Sequence, residues 1–321
     1  MLTERLKLPF PLIQAPMAGP ASHPDLTAAV SNAGGLGSFG AGYLSADKIR
    51  EAIHAIRFQT EAPFNLNLFV PGKFEVNAAK IKASMEAMQP YFEEQMSVVI
   101  EEKVPVFSFT FGIPEEKWLR QLKGEGTVLI GTATHLEEAL ALEQSGVDFI
   151  VAQGKEAGGH RGTFIGKEED ALDSTEVLVK ELKRHVQTPI IAAGGVMNRE
   201  DVKQALEWGA CAVQMGTAFL TTQECPIHPK YRQILLAQEE DNTRLTRAFS
   251  GRLARGVRNR FLDEMERINV PDYPIQNALT RPIRQAASAQ ARTEFMSLWA
   301  GERAFLCQQQ SVASLICFLF R

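Results

Sequence analysis

Residues 189–217, PIIAAGGVMNREDVKQALEWGACAVQMGT, decide the fold. They open on an apolar run ending in Gly194-Gly195, pass through a helix signal, and return to a second apolar run ending in Gly216-Thr217. Asn198 stands where a helix cap belongs, Val202, Ala205 and Leu206 recur at helical spacing, and Gly209 closes the helix. Strand, crossover helix and strand in one short stretch is the βαβ unit, whose two strands lie parallel in one sheet.

The same alternation extends back to the start of the chain. Six further β-rich runs precede this unit: PLIQAP (11–16), LGSFG (36–40), FNLNLFV (64–70), VPVFSF (104–109), TVLIGT (127–132) and FIVAQG (149–154). With PIIAAGG (189–195) and AVQMGT (212–217) they make eight, most followed by a helical pattern. Thr134 with Glu137 predicts a capping box before Leu136, Ala139 and Leu140, and Gly146 sits where that helix should stop. Eight parallel strands separated by helices predict an α/β protein, a (β/α)8 TIM barrel. Residues 73–100 read as extra helix between the third and fourth strands, and 222–300 as a long helical segment after the eighth. Neither follows a recognisable linker, so both read as insertions on a single domain spanning 1–321.

Composition agrees with this architecture. A chain of 321 residues that is 45% hydrophobic can bury one large core. Its 34 basic and 38 acidic residues are interspersed and give a formal net charge of −4, so no surface for nucleic acid or membrane is indicated. Cys211, Cys225, Cys307 and Cys317 lack CxxC spacing, which predicts neither a metal site nor a disulfide framework and suits a reduced, cytoplasmic protein. The opening MLTERLKLPFPLIQ is charged where a signal peptide would be apolar, and no segment approaches the roughly 18 apolar residues of a membrane helix. The apolar end, SVASLICFLFR, reads as a tail packed on the barrel.

In such barrels the loops after the strands share one face, and that face carries the active site. The residues there are Ala15 to Gly19, Asn67, Ser108, Thr132, Gln153-Gly154, Gly194-Gly195 and Gln214 to Thr217. Most are small or amide-bearing, suited to lying against a flat ring and a phosphate. The loops after the seventh and eighth strands often hold phosphate in this fold, and glycines there let backbone N–H groups reach its oxygens. Gly195, Gly216 and Thr217 therefore predict a phosphorylated ligand.

After the sixth strand, GKEAGGHRG (154–162) reads as a flexible loop with His160 at its centre. An imidazole, with an unperturbed pKa of about 6.5, suits proton transfer near neutrality, which makes His160 the candidate catalyst. His23, His54, His135, His185 and His228 sit in helices or at their starts and read as structural, and Glu168-Glu169 reads as a solvated face.

These stretches resemble a known family. QAPMAG (14–19), NAGGLGSFGAGYLS (32–45), FNLNLFVP (64–71), SFTFGIP (108–114), AQGKEAGGHRGTF (152–164), AAGGV (192–196), QMGTAFL (214–220) and TRAFSGRLARGVRNRF (246–261) resemble nitronate monooxygenases, once called 2-nitropropane dioxygenases. The resemblance runs from about residue 8 to about residue 265, and residues 303–321 do not look like the family's usual helical end. It implies FMN as cofactor, contacted by Met17, Ala18, Gly19, Asn67, Gln153, Gly158, Gly195, Gln214, Met215, Gly216 and Thr217, with His160 catalytic. It also implies oxidation of alkyl nitronates, propionate 3-nitronate foremost, with O2 to a carbonyl compound and nitrite. Assembly into an oligomer is compatible with it. Two rivals share the barrel: an FMN-dependent enoyl-acyl-carrier-protein reductase, which also has an AGGH-like loop, and a catalytically silent FMN-binding protein. SFTFGIP and TRAFSGRLARGVRNRF favour the monooxygenase over the reductase, and the presence of His160 argues against silence.

Overall fold

The computed structural model describes residues 1–71 and 88–321. Its central sheet joins eight parallel strands: β1 (Leu12–Gln14), β2 (Gly37–Gly40), β3 (Phe64–Phe69), β4 (Val106–Thr110), β5 (Val128–Ala133), β6 (Phe149–Gln153), β8 (Ile190–Ala193) and β9 (Ala212–Met215). The intervening β7 (Gly159–His160) belongs to a second sheet. The sheet order is β1-β9-β8-β6-β5-β4-β3-β2, and its two edges meet at Leu36. There the Leu36 amide donates to the Leu12 carbonyl at 2.8 Å, and the Gln14 amide donates to the Leu36 carbonyl at 3.0 Å. The sheet therefore closes into the expected barrel, with no exposed edge left to pair with another chain.

Both faces of the barrel strands are buried, as parallel strands covered by helices require. The outward residues Leu12, Ile150, Ala192 and Val213 pack beneath the helical ring. Their alternates Ile13, Val106, Val128, Ile130, Val151 and Ile191 fill the lumen, and Leu2 of α1 (Leu2–Leu6) joins this cluster at the barrel's N-terminal end. Above that apolar plug the lumen turns polar. Asn65 donates to the hydroxyls of Ser38 and Ser108 at 3.0 and 2.9 Å, and Asn67 donates to Ser108 at 2.9 Å. Ser108 is thus part of the floor and does not reach the cavity above it.

The helical ring comprises α2 (Pro24–Asn32), α3 (Ala46–Gln59), α4 (Met88–Glu101), α5 (Glu116–Gly124), α6 (Leu136–Ser145), α7 (Thr175–His185) and α8 (Arg199–Glu207). The Asn198 cap holds: its side chain accepts from the Asp201 amide at 3.0 Å. Gly146 ends α6 in the left-handed region at φ 78°. The Thr134–Glu137 capping box does not form. His135 occupies the cap position, and both the amide and hydroxyl of Thr134 bond instead to the fully buried Glu138 at 2.7 and 2.8 Å. Glu138 also accepts from the Phe164 and Ile165 amides, so its carboxylate folds inward to anchor a loop while Glu137 faces solvent.

Two further expectations need correction. Of the extra helix expected over 73–100, α4 is present, and the remainder of that expectation lies outside the described residues. Residues 222–300 are not purely helical. After the short α9 (Thr217–Leu220), they hold α10 (Pro229–Leu236), a hairpin of β10 (Thr243–Thr246) and β11 (Ala254–Val257), then α11 (Arg260–Met265) and α12 (Ile275–Ala289). The hairpin's alternation is hidden because all of β11 is buried, and its central Gly256 carries no side chain to display a period. The final helix, α13 (Val312–Phe320), buries Val312, Leu315, Ile316 and Leu319 and stacks Phe320 on Phe10 at 4.9 Å, so the apolar tail does pack on the barrel. Among the described residues no helix is long and apolar enough to cross a membrane.

Candidate active site

The loops after the strands enclose a cavity of about 610 Å³, within the range of small-molecule sites. Every residue named from the resemblance for FMN contact or catalysis lines it: Met17, Ala18, Gly19, Asn67, Gln153, Gly158, His160, Gly195, Gln214, Met215, Gly216 and Thr217; Ser108 and Gly154, also at strand ends, do not. Gly194 and Gly195 have φ of 120° and 72°, a backbone that L side chains rarely adopt. Gly158 meets a different constraint, since a Cβ there would lie 2.5 Å from the backbone of Ala300 and Gly301. Gly301 in turn donates its amide to the Thr217 hydroxyl at 3.0 Å. Three glycine-bearing loops thus converge at one end of the cavity. Arg303 adds positive charge there, donating to the Gly195 carbonyl at 3.0 Å while paired with Asp201.

His160 is set from two directions. Its backbone belongs to β7, which pairs antiparallel with β11 through Ala254, and its carbonyl accepts from Gln153 at 3.0 Å. The other end of the Gln153 amide accepts from the Gly162 amide at 2.7 Å, so this side chain, named for cofactor contact, clamps the histidine loop as well. Arg161 is fully buried and bonds the carbonyls of Gln153, Gly154 and Ala171. The loop that reads as flexible is therefore strapped down. Its glycines suggest freedom, but the restraints come from side chains and a hairpin distant in sequence.

The imidazole sits among aromatic rings, with centroid distances of 5.4 Å to Trp299, 6.0 Å to Phe111 and 6.4 Å to Tyr273. Its Nε2 lies 2.8 Å from the Ser250 hydroxyl. Burial first, then the charges of Arg252 and Arg284, push its pKa down to about 3, so the ring is neutral near pH 7. Phe111, at the end of β4, holds a left-handed φ of 76° and lies under the Arg252 guanidinium at 4.0 Å. Arg252 is paired with Glu168 at 3.1 Å, and Arg247 reaches Glu168 at 2.7 Å. Glu168 is accordingly a nearly buried ion-pair partner, while Glu169 keeps the solvated position expected of both.

Positive charge without a carboxylate partner comes from α12. Arg284 lines the cavity and bonds only to Thr280 and Asn277 of its own helix, with no acidic partner among the described residues. Tyr43 lines the same cavity, and desolvation of its hydroxyl first, then Tyr273, raises that group's pKa so that it stays protonated. A neutral imidazole, phenol donors and a free guanidinium suit a small anion or an acid that becomes one.

A model of the nitronate monooxygenase family matches residues 1–321. The chain belongs to the nitronate monooxygenase family. It is 39% identical to a protein named probable nitronate monooxygenase from Staphylococcus haemolyticus, across 98% of this chain and 94% of that one. Among solved structures, nitroalkane oxidase from Streptomyces ansochromogenes matches with a TM-score of 0.91 and 37% identity, covering 99% of this chain and 96% of the other. FabK from Thermotoga maritima matches with a TM-score of 0.82 and 33% identity, covering 99% and 94%. This nitronate monooxygenase family member is an oxidoreductase on a TIM barrel.

The site includes side chains that sequence reasoning missed. Tyr43, Phe111, Ser250 and Arg252 all stand inside quoted motifs, NAGGLGSFGAGYLS, SFTFGIP and TRAFSGRLARGVRNRF, yet nothing in local spacing shows that these motifs meet. Tyr273, Arg284 and Trp299 lie beyond the last of them.

Proposed function

We propose that this enzyme oxidises small alkyl nitronates with O2 to a carbonyl compound and nitrite, using FMN, and that propionate 3-nitronate is its leading substrate. The observation that carries the reading is the neutral His160 facing the same cavity as Arg284, which has no acidic partner among the described residues. The residues present fit FMN: small strand-end residues leave room for a flat ring, and the glycine loops beside Arg303 leave backbone and charge for a phosphate. Met17, Ala18, Gly19, Asn67 and Gln153 would line the ring, while Gly158, Gly195 and the run Gln214, Met215, Gly216, Thr217 would hold the phosphate end. Bound FMN supplies the electron chemistry.

The protein's own groups supply position and charge. Arg284 attracts the anionic nitro oxygens of a nitronate. For a neutral nitroalkane, His160 takes the α-proton, and Arg284 stabilises the negative charge left on the nitro group. Phe111, Tyr273 and Trp299 keep water from the imidazole. Anaerobic mixing of the FMN-loaded enzyme with propionate 3-nitronate should bleach the flavin absorbance. An unchanged oxidised spectrum overturns the reading.

A second reading, FMN-dependent enoyl-acyl-carrier-protein reduction, draws on the AGGH loop around His160 and on the likeness to FabK. Rapid flavin reduction by NAD(P)H without oxygen would establish it in place of the first.

A further inference from the structure

The hydroxyl of Ser250 is fully buried and has three neighbours. It lies 2.8 Å from His160 Nε2 and 3.1 Å from the Arg252 carbonyl oxygen, and the Arg252 amide donates to it at 3.3 Å. A hydroxyl has one proton to give and two lone pairs to receive. The Arg252 carbonyl can only accept, and among the described residues it has no other partner. If Ser250 gave its proton to His160, that buried carbonyl would be left unpaired, at the cost of a lost hydrogen bond in a dry site. All three neighbours are satisfied in one arrangement only: Ser250 donates to the Arg252 carbonyl and accepts from both the Arg252 amide and an Nε2–H of His160.

We propose that Ser250 is a positioning residue that holds His160 in its Nε2–H form and leaves the Nδ1 lone pair as the proton acceptor. The proposal deepens the base role assigned to His160 and rests on it. Nδ1 has no hydrogen-bond partner among the described residues, and His160 lines the cavity. In the proton transfer, the Nδ1 lone pair forms a bond to the α-hydrogen of a nitroalkane. The electron pair of the broken C–H bond moves into the nitro group, giving the nitronate and a doubly protonated imidazolium. Nε2–H keeps its bond to Ser250 throughout, so the ring does not have to turn. The backbone supports this rigidity, because β11, beginning two residues after Arg252, pairs with His160 itself.

Nitrogen NMR of the FMN-loaded protein with ¹⁵N-labelled histidine reads the tautomer directly. The His160 signals are identified among those of six histidines by their loss in His160→Asn. The bare, deshielded nitrogen should couple to Hε1 alone, which marks it as Nδ1. A bare nitrogen coupled to both Hδ2 and Hε1 would be Nε2 and would overturn the proposal without any variant of Ser250. In Ser250→Ala the nitrogen pattern should shift toward a tautomer mixture, and kcat/KM for neutral nitroalkanes should fall roughly 10-fold or more, as for other partners that orient a histidine. Turnover of preformed nitronates should change less than about 3-fold, since they have no α-proton to give. Ser250→Thr, which keeps the hydroxyl, should restore both pattern and rate. An unaltered nitrogen spectrum in Ser250→Ala overturns the proposal. Full nitroalkane activity in His160→Asn would instead remove the base assignment, and the wild-type nitrogen spectrum distinguishes the two failures.

Discussion

At the scale of single residues, the active face separates two duties that a histidine could combine. A surface imidazole would be partly charged at neutral pH and could both attract an anion and move a proton. Here burial and two neighbouring guanidiniums hold His160 neutral down to about pH 3, so under the proposed function anion attraction falls to Arg284. His160→Asn should therefore fold and keep FMN, lose roughly 10²-fold or more in kcat/KM on neutral nitroalkanes, and lose far less on preformed nitronates. Equal, large losses in kcat on both substrates would reject the base role. Arg284→Met should show the complementary pattern in steady-state kinetics. Removing a charge-assisted contact costs about 1.5–3 kcal/mol, so KM for nitronates should rise on the order of 10-fold or more with kcat affected less. An unchanged KM would take Arg284 out of substrate recognition.

At the scale of elements, the strands and the loops that line the cavity were legible, and the sheet that fixes His160 was not. Apolar runs ending in glycine or an amide mark β6, β8 and β9 because parallel barrel strands are buried on both faces and their ends open on the cavity. The β10–β11 hairpin lacks any such signature. The Thr134 expectation failed for a related reason, since Glu138 turned inward to serve residues 164 and 165, and no helical pattern encodes that distant need. This inward carboxylate has a measurable consequence. Its bond to His135, with those from Glu137 and Ile165, raises the His135 pKa from its ordinary 6.5 to about 9. A raised histidine pKa means the folded state holds its proton more tightly than the unfolded chain. The contribution is fully present below about pH 6.5 and disappears as pH rises through about 9. Urea unfolding midpoints should fall over that window in the wild type and fall less in His135→Gln; parallel slopes would show that this pair does not couple to stability. Gly195→Asp tests the neighbouring element. It places a carboxylate at φ 72° beside the proposed phosphate position, and the variant should be soluble but without retained FMN. Full flavin occupancy would move the phosphate elsewhere.

At the scale of the whole molecule, the segment after the eighth barrel strand could in principle be a separate unit leaning on the barrel. Its contacts argue for one cooperative body. β7 leaves the barrel between β6 and α7 and completes a sheet with β10 and β11. Arg161 donates its amide to the Leu253 carbonyl at 2.8 Å, Leu253 donates its own to Glu168 at 3.0 Å, and Gly301 and Arg303 return to Thr217 and Gly195. Opening either part would separate Arg252 from Glu168 and break these hydrogen bonds together. Calorimetry of the FMN-loaded protein should therefore give one transition whose calorimetric and van't Hoff enthalpies agree. Excess FMN should raise its midpoint, because a ligand that binds only the folded state stabilises it by mass action. Replacing Glu168 with Gln should lower the midpoint and keep the transition single, since the lost pair joins both parts. Two resolved transitions in the wild type, with only the first moving in Glu168→Gln, would show that the barrel and residues 222–300 fold as separate units.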